Sequence, residues 1–207
     1  MSRRSTARMR GNAEESRRRI AVEAARLIAE EGLRDYHDAK RKAAARLGAF
    51  DESTLPRNGE IEDALREHQR LFQSMSQPAH LERLRRAAIE AMRFLARFEP
   101  RLVGAVLEGT ADAHSAVLVH LFSDDVREVI AFLAERRIPC EEATRTLRFA
   151  GDRELSLPAL LVAADGVQVE FVVFDIDGLR EAPLDRVDAK PMRRAGLAAV
   201  EALLRQE

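Results

Sequence analysis

The chain is poor in the residues that could tie it together covalently or through a thiolate-bound metal. It has a single cysteine, Cys140, so no intramolecular disulfide can close and no zinc-ligand cluster exists. A reducing cytoplasm is the expected compartment. Apolar runs are short: none reaches the roughly 18 residues that would indicate a membrane span, and no membrane association is expected. Arg3, Arg4, Arg8 and Arg10 precede no apolar run of about 7–15 residues, which argues against a secretory signal. No glycine-rich loop ends in Gly-Lys-Ser or Gly-Lys-Thr, so a P-loop ATP-dependent ligase is excluded. Internal repeats and low-complexity tracts are missing as well.

What the chain does have is an ordinary apolar content of 46% in 207 residues. That is enough to bury the core of one medium domain, or of a domain with a helical extension. Charged residues reach 33%, and the net charge of −1 hides an asymmetry. Residues 1–50 carry 13 Lys and Arg against 7 Asp and Glu, and the remainder carries 21 against 28. A basic head on an acidic body fits a polyanionic partner, and equally fits the two parts docking on each other.

Periodicity places the elements. Residues 1–12 are rich in Arg and Ser and are expected to be a disordered basic tail. Asn12 followed by Glu15 starts a helix in which Ile20, Ala24, Leu27 and Ile28 repeat, and Gly32 stops it. A second helix is expected over about 35–47, a third from the cap Asn58, and a fourth after Pro78, so that 13–77 form a helical N-terminal region. From Arg101 the pattern changes to strands: LVGAVL at 102–107, AVLVHLF at 116–122, then about 145–150, 157–163 and 167–174, with Asp165-Gly166 as a tight hairpin turn. A helix capped by Ser123 lies within this run, and a last helix carries Leu197, Val200 and Leu204. Four helices followed by ββαβββα describe an α+β protein, with the α+β domain over 78–207.

Residues 104–119 carry a particular spacing. Gly104 is followed after four residues by Gly109, and after five more by Ser115. This resembles the opening of the DNA polymerase β-type nucleotidyltransferase superfamily, a strand and turn of the form G-S-x4-G-x5-S-D-x-D. The likeness covers roughly residues 80–175 and implies a mixed sheet with flanking helices. It further implies ligand contacts from Gly104, Gly109, Thr110 and Ser115. In that superfamily two aspartates at i and i+2 project from one strand face. They bind two magnesium ions, and a later strand adds a third carboxylate. Here the aspartate positions are Ala116 and Leu118, and the serine beside the first glycine is Ala105. Neither alanine nor leucine offers the oxygen that a hard cation requires. The resemblance is therefore to a degenerate bacterial member, with no metal assigned.

Polar residues remain around these positions. His120 shares the strand face of Leu118, Glu170 stands where the third carboxylate is expected, and Glu108, Asp112 and His114 lie in or beside the turn. One reading makes the chain a binding module for a nucleotide, an RNA or a protein partner. A second keeps an active transferase in which Glu108, Asp112, His120 or Glu170 replace the missing pair, with Mg²⁺ and nucleotide as cofactors. A third takes residues 24–48 as helix-turn-helix-like, with Lys40, Arg41, Lys42 and Arg46 facing a phosphate backbone. Against that third reading, a solvated helix face explains the same charges, and no aromatic platform interleaves with them. Arg193 and Arg194 are expected in the first turn of the last helix, where they could hold an anion with the helix amides or pair with nearby acids. The Asp-x-Asp of FDIDG at 174–178 reads as a strand-end turn because of Gly178.

Overall fold

The computed structural model describes residues 3–33, 35–49, 54–72, 77–112 and 115–205. The chain divides into two compact units, one of residues 1–76 with 186–188, the other of 77–185 with 189–207.

The first unit is helical. Its elements are α1 (Arg3–Glu31), α2 (Tyr36–Arg46) and α3 (Asn58–Phe72). Helix α1 already includes residues 3–12, where a disordered tail was expected. Residues 3–12 contain no proline, and their single glycine, Gly11, costs the helix about 1 kcal/mol without breaking it. The core consists of Ile20, Ala24 and Leu27 from α1, Ala39 and Ala43 from α2, and Ile61 and Leu65 from α3, all fully or nearly fully buried. The alanines let the helix backbones come close. Asp35 caps α2 by accepting the amides of His37 at 2.7 Å and Asp38 at 3.1 Å.

The second unit places helices against a five-stranded mixed sheet. Its helices are α4 (Gln77–Phe94), α5 (Ala105–Glu108), α6 (Val126–Glu135) and α7 (Leu197–Leu204). Its strands are β1 (Arg101–Val103), β2 (Val117–Phe122), β3 (Glu141–Arg148), β4 (Glu154–Ala164) and β5 (Val167–Phe174), in the order β1-β2-β5-β4-β3. Only β2 and β5 run parallel; the other pairs are antiparallel. The two residues at the β4–β5 hairpin, Asp165 and Gly166, have φ of 49° and 72°, as a tight turn compatible with strand twist requires.

Because side chains alternate along a strand, the central pair sorts its residues onto two faces. One face carries Val117, Val119 and Leu121 of β2 beside Val169, Phe171 and Val173 of β5. It joins Leu84, Met92, Phe132, Leu133 and Val200 from α4, α6 and α7 in the main core. The other face carries Leu118, His120, Phe122, Glu170, Val172 and Phe174. Among the described residues its apolar cluster, Phe122, Phe149, Ala159, Val172 and Phe174, draws on strands and the loop after β3 rather than on α4, α6 or α7.

Three local expectations change. The run 102–107 is not one strand. Pairing ends at Val103, and Gly104, at φ 72° and ψ −156°, turns the chain into α5. An apolar β-branched run of six residues suits a strand and a short helix equally, and the glycine decides. Helix α6 is capped by Asp125, which accepts the Arg127 amide at 2.9 Å, rather than by Ser123. Helix α7 starts at Leu197 with Gly196 as its cap, so Arg193 and Arg194 precede it. They flank Ala195, which exchanges backbone hydrogen bonds of 2.9 and 2.8 Å with Leu102 of β1. That pairing extends the chain just where a first helical turn was expected.

Leu121 is fully buried in the main core. Leu121→Ala is expected to cost about 2–5 kcal/mol, seen as a lower urea midpoint by far-UV circular dichroism. Leu155→Ala, at a position 42% exposed, is expected to cost less than about 1 kcal/mol.

Candidate functional site

The open face of the central pair holds the polar residues that sequence reasoning singled out on its strands. Leu118 lies directly beside Glu170 in the β2–β5 register, and Val103 lies beside Leu118 on the other side. Gly104 follows at the strand end, so close that a Cβ there would stand 3.2 Å from Leu118 Cδ1. The turn, Leu118 and Glu170 thus form one patch.

Glu170 is 5% exposed, and a carboxylate so enclosed needs a partner. Arg145 of β3 provides it through a two-pronged ion pair, Nε to Oε1 and Nη2 to Oε2, the latter at 2.7 Å. Sequence reasoning missed Arg145. The strand was expected at about 145–150, whereas β3 starts at Glu141 and turns residues 143, 145 and 147 inward, a register in which a charged residue demands an inward counter-charge.

His120 is 3% exposed, and its Nδ1 accepts the Nε–H of Arg194 at 3.1 Å. Nδ1 therefore carries no proton, and the neutral ring carries it on Nε2. Burial, reinforced by the adjacent guanidinium, pushes the imidazole down to about 3. The ring packs against Phe174 with centroids 4.5 Å apart. Arg194 also donates from Nη1 to the carbonyls of Gly178 at 2.6 Å and Glu181 at 3.2 Å. Its guanidinium carbon lies 4.8 Å from the Phe174 centroid and 5.1 Å from that of Phe122. Burial, with Arg101 nearby, lowers this arginine to about 10.

The turn residues are spent on the turn itself. Ser115 Oγ accepts the Asp112 amide at 2.9 Å and donates to Asp112 Oδ1 at 2.9 Å. Thr110 is buried, and its amide donates to the Ala105 carbonyl at 3.0 Å. Beneath them Arg85 of α4, 6% exposed, donates from Nε to the Val106 carbonyl at 3.3 Å. A charged residue four positions after Leu81, on the apolar stripe of α4, was the sequence signal for it. Glu108 faces Arg193 across 3.6 Å. His114 lies outside the described residues. Arg193 and Arg194, expected to act together, point to different partners, because successive residues of an extended segment project to opposite sides.

The four polar candidates thus have four different partners. Among the described residues, no three His, Cys, Asp or Glu side chains are grouped so that they could hold a metal ion. The residues at the expected magnesium positions do not fit that ion: two are hydrocarbon, and the carboxylate of the third is engaged by a guanidinium. Of the basic residues on α2, Lys42 pairs with Glu31, and Arg46 pairs with Glu31 at 2.8 Å and Glu23 at 3.1 Å. Burial holds the Lys40 ammonium below its ordinary value, and Arg41 is exposed. Asp175 of FDIDG caps its own turn, accepting the Gly178 amide at 2.8 Å. No described helix is long and apolar enough to cross a membrane. No protein-family model matches the chain, and no curated protein matches it either.

Two outcomes follow. Gly104→Ala forces a non-glycine residue into a positive-φ conformation against Leu118 and is expected to cost about 1–3 kcal/mol. Gly196→Ala, with φ −76° and no atom within 4 Å of the new Cβ, is expected to change urea stability by less than about 0.5 kcal/mol. The depressed His120 gives a pH dependence of known sign. The unfolded imidazole takes up a proton below its ordinary 6.5, and the folded one only near 3. Stability is therefore lost as pH falls between those values. His120→Asn keeps an acceptor near Nδ1 without titrating, so its stability–pH curve is expected to be flatter across that window.

Proposed function

We propose that this chain is a nucleotidyltransferase-like module that acts by binding a nucleotide rather than by two-metal nucleotidyl transfer. The observation that carries the reading is the patch at Leu118: hydrocarbon stands beside Glu170, and the Glu170 carboxylate is held in two places by Arg145. Two-metal transfer needs several carboxylates converging on hard cations, whereas this patch offers one carboxylate that is already neutralised.

What surrounds the patch suits an anionic ligand with a flat apolar part. Leu118 and Leu161 lie in register on either side of Glu170 and are partly exposed. Arg145 and Arg101 keep 43% and 30% of their side chains accessible around this face. The spacing Gly104–Gly109–Ser115 adds the likeness to nucleotide-handling scaffolds. The transferase reading lacks support of this kind, since its candidate groups face four separate partners. The nucleic-acid reading of α2 is weakened by the carboxylates that hold Lys42 and Arg46.

The test is thermal stability of the full chain with ATP, CTP, GTP and UTP, each with and without Mg²⁺ or Mn²⁺. One or more nucleotides are expected to raise Tm without metal. At a hundredfold excess over Kd the gain is about 2.7 kcal/mol, or roughly 5–10 °C for a chain of this size. A rise that requires the cation and disappears in Glu170→Gln and His120→Ala would instead favour the metal-dependent transferase.

A further inference from the structure

Several arginines around the sheet of the second unit are paired with carboxylates. Arg101 faces Glu99 at 3.2 Å, Arg193 faces Glu108 at 3.6 Å, Arg180 faces Asp177 at 3.6 Å, Arg145 holds Glu170, and Arg153 holds Glu181. Arg194 is different. Its three hydrogen bonds go to neutral acceptors, the His120 ring and two backbone carbonyls. Its Nη2 is shielded from solvent and has no hydrogen-bond partner among the described residues. The aromatic rings on which it lies offer only weak compensation, and the nearest cationic influence, Arg101, has the same sign. A guanidinium enclosed without an anion leaves a full charge and an amino group poorly compensated.

We propose that Arg194 is the receptor for an oxyanion, the phosphate group of the nucleotide, on the open face of the sheet. The inference rests on the binding reading above and assigns the residue that takes the phosphate. A phosphate oxygen gains a charge-assisted hydrogen bond from Nη2. As it settles, the carbonyls of Gly178, in the 3-10 turn Ile176–Leu179, and of Glu181 just beyond it give way and the Nη1–Nη2 edge turns towards the anion. His120 positions the guanidinium. Because it is neutral and presents Nδ1 as an acceptor, it fixes Nε without supplying the negative charge that would compete with the ligand. An aspartate in its place would complete an ion pair and remove the demand for one from outside.

The experiment is titration of the full chain with pyrophosphate and, separately, with ATP, followed by calorimetry. Arg194→Gln is expected to weaken both by roughly 10–100-fold. Arg86→Gln, an exposed position on α4 paired with Glu82, is expected to leave both unchanged. In parallel, the imidazole nitrogen signals of the unsubstituted protein are followed by NMR, where pyrophosphate is expected to shift the Nδ1 resonance of His120. If Arg194→Gln binds both as the parent does, the assignment is wrong while the binding reading stands. If the parent binds neither, both fall. Should Arg194→Gln not fold, an unmoved His120 signal at saturating pyrophosphate overturns the assignment, and a shifted one supports it.

Discussion

Burial of two ionisable side chains in the central parallel strand pair is the constraint around which the second unit is arranged. Strands buried on both sides are ordinarily near-continuous in Val, Ile and Leu, and β2 and β5 follow that pattern except at the exposed Gln168 and at the buried, ionisable His120 and Glu170. Each buried exception brings an arginine with it from elsewhere in the chain, Arg194 to His120 and Arg145 to Glu170. The two pairs are not equivalent. A carboxylate with a bidentate guanidinium is electrically complete, whereas an imidazole kept neutral beside a guanidinium leaves one positive charge over. The open face therefore has a neutral end at Glu170 and a positive end at Arg194.

The helical cover of the opposite face makes this arrangement possible. With Val117, Val119, Leu121, Val169, Phe171 and Val173 packed against helices, the strands keep their register without help from the open face. Burying each such side chain contributes about 1.5–3 kcal/mol, which exceeds the cost of a few partnered polar groups. The cluster of Phe122, Phe149, Ala159, Val172 and Phe174 then surrounds the polar pairs with hydrocarbon. The same apolar surroundings strengthen the hydrogen bond of Arg194 to His120 and keep that ring uncharged.

Much of this was legible in the sequence, and the rest was hidden for identifiable reasons. Strand β5 was delimited at Val167 and Phe174 because a hairpin turn opens it and its apolar run closes at Asp175. The two-residue alternation put His120 on the face of Leu118, and Glu170, singled out on the later strand, lies beside Leu118 in the register. The bend at Gly104 was hidden, since a glycine inside an apolar run does not announce which φ it adopts. So were the arginine partners, 25 residues from Glu170 and 74 from His120. Pairings at such separations follow from sheet order and from the path of the segment after β5. Local periodicity carries no information about either. Arg193 and Arg194 were placed in a helix because the residues after Pro191 favour one, and the backbone pairing of Ala195 with Leu102 overrides that preference.

Hydrocarbon at Leu118, beside the Glu170 carboxylate, has a consequence for stability as well as chemistry. Three carboxylates on adjacent strands repel one another, and a scaffold that carries them depends on bound cations to offset that repulsion. With Leu118 beside Glu170 and Arg145 closing the pair, the one carboxylate of this patch is neutralised from within the chain. Removing Arg145 would restore the isolated buried carboxylate, a state that favours protonation or recruitment of another cation. Arg145 thus neutralises Glu170 as a fixed partner with no open coordination position. A group of that kind can orient a bound ligand and can neither polarise a phosphate as a Lewis acid nor activate an attacking hydroxyl. This is the physical basis for treating the face as a surface of recognition.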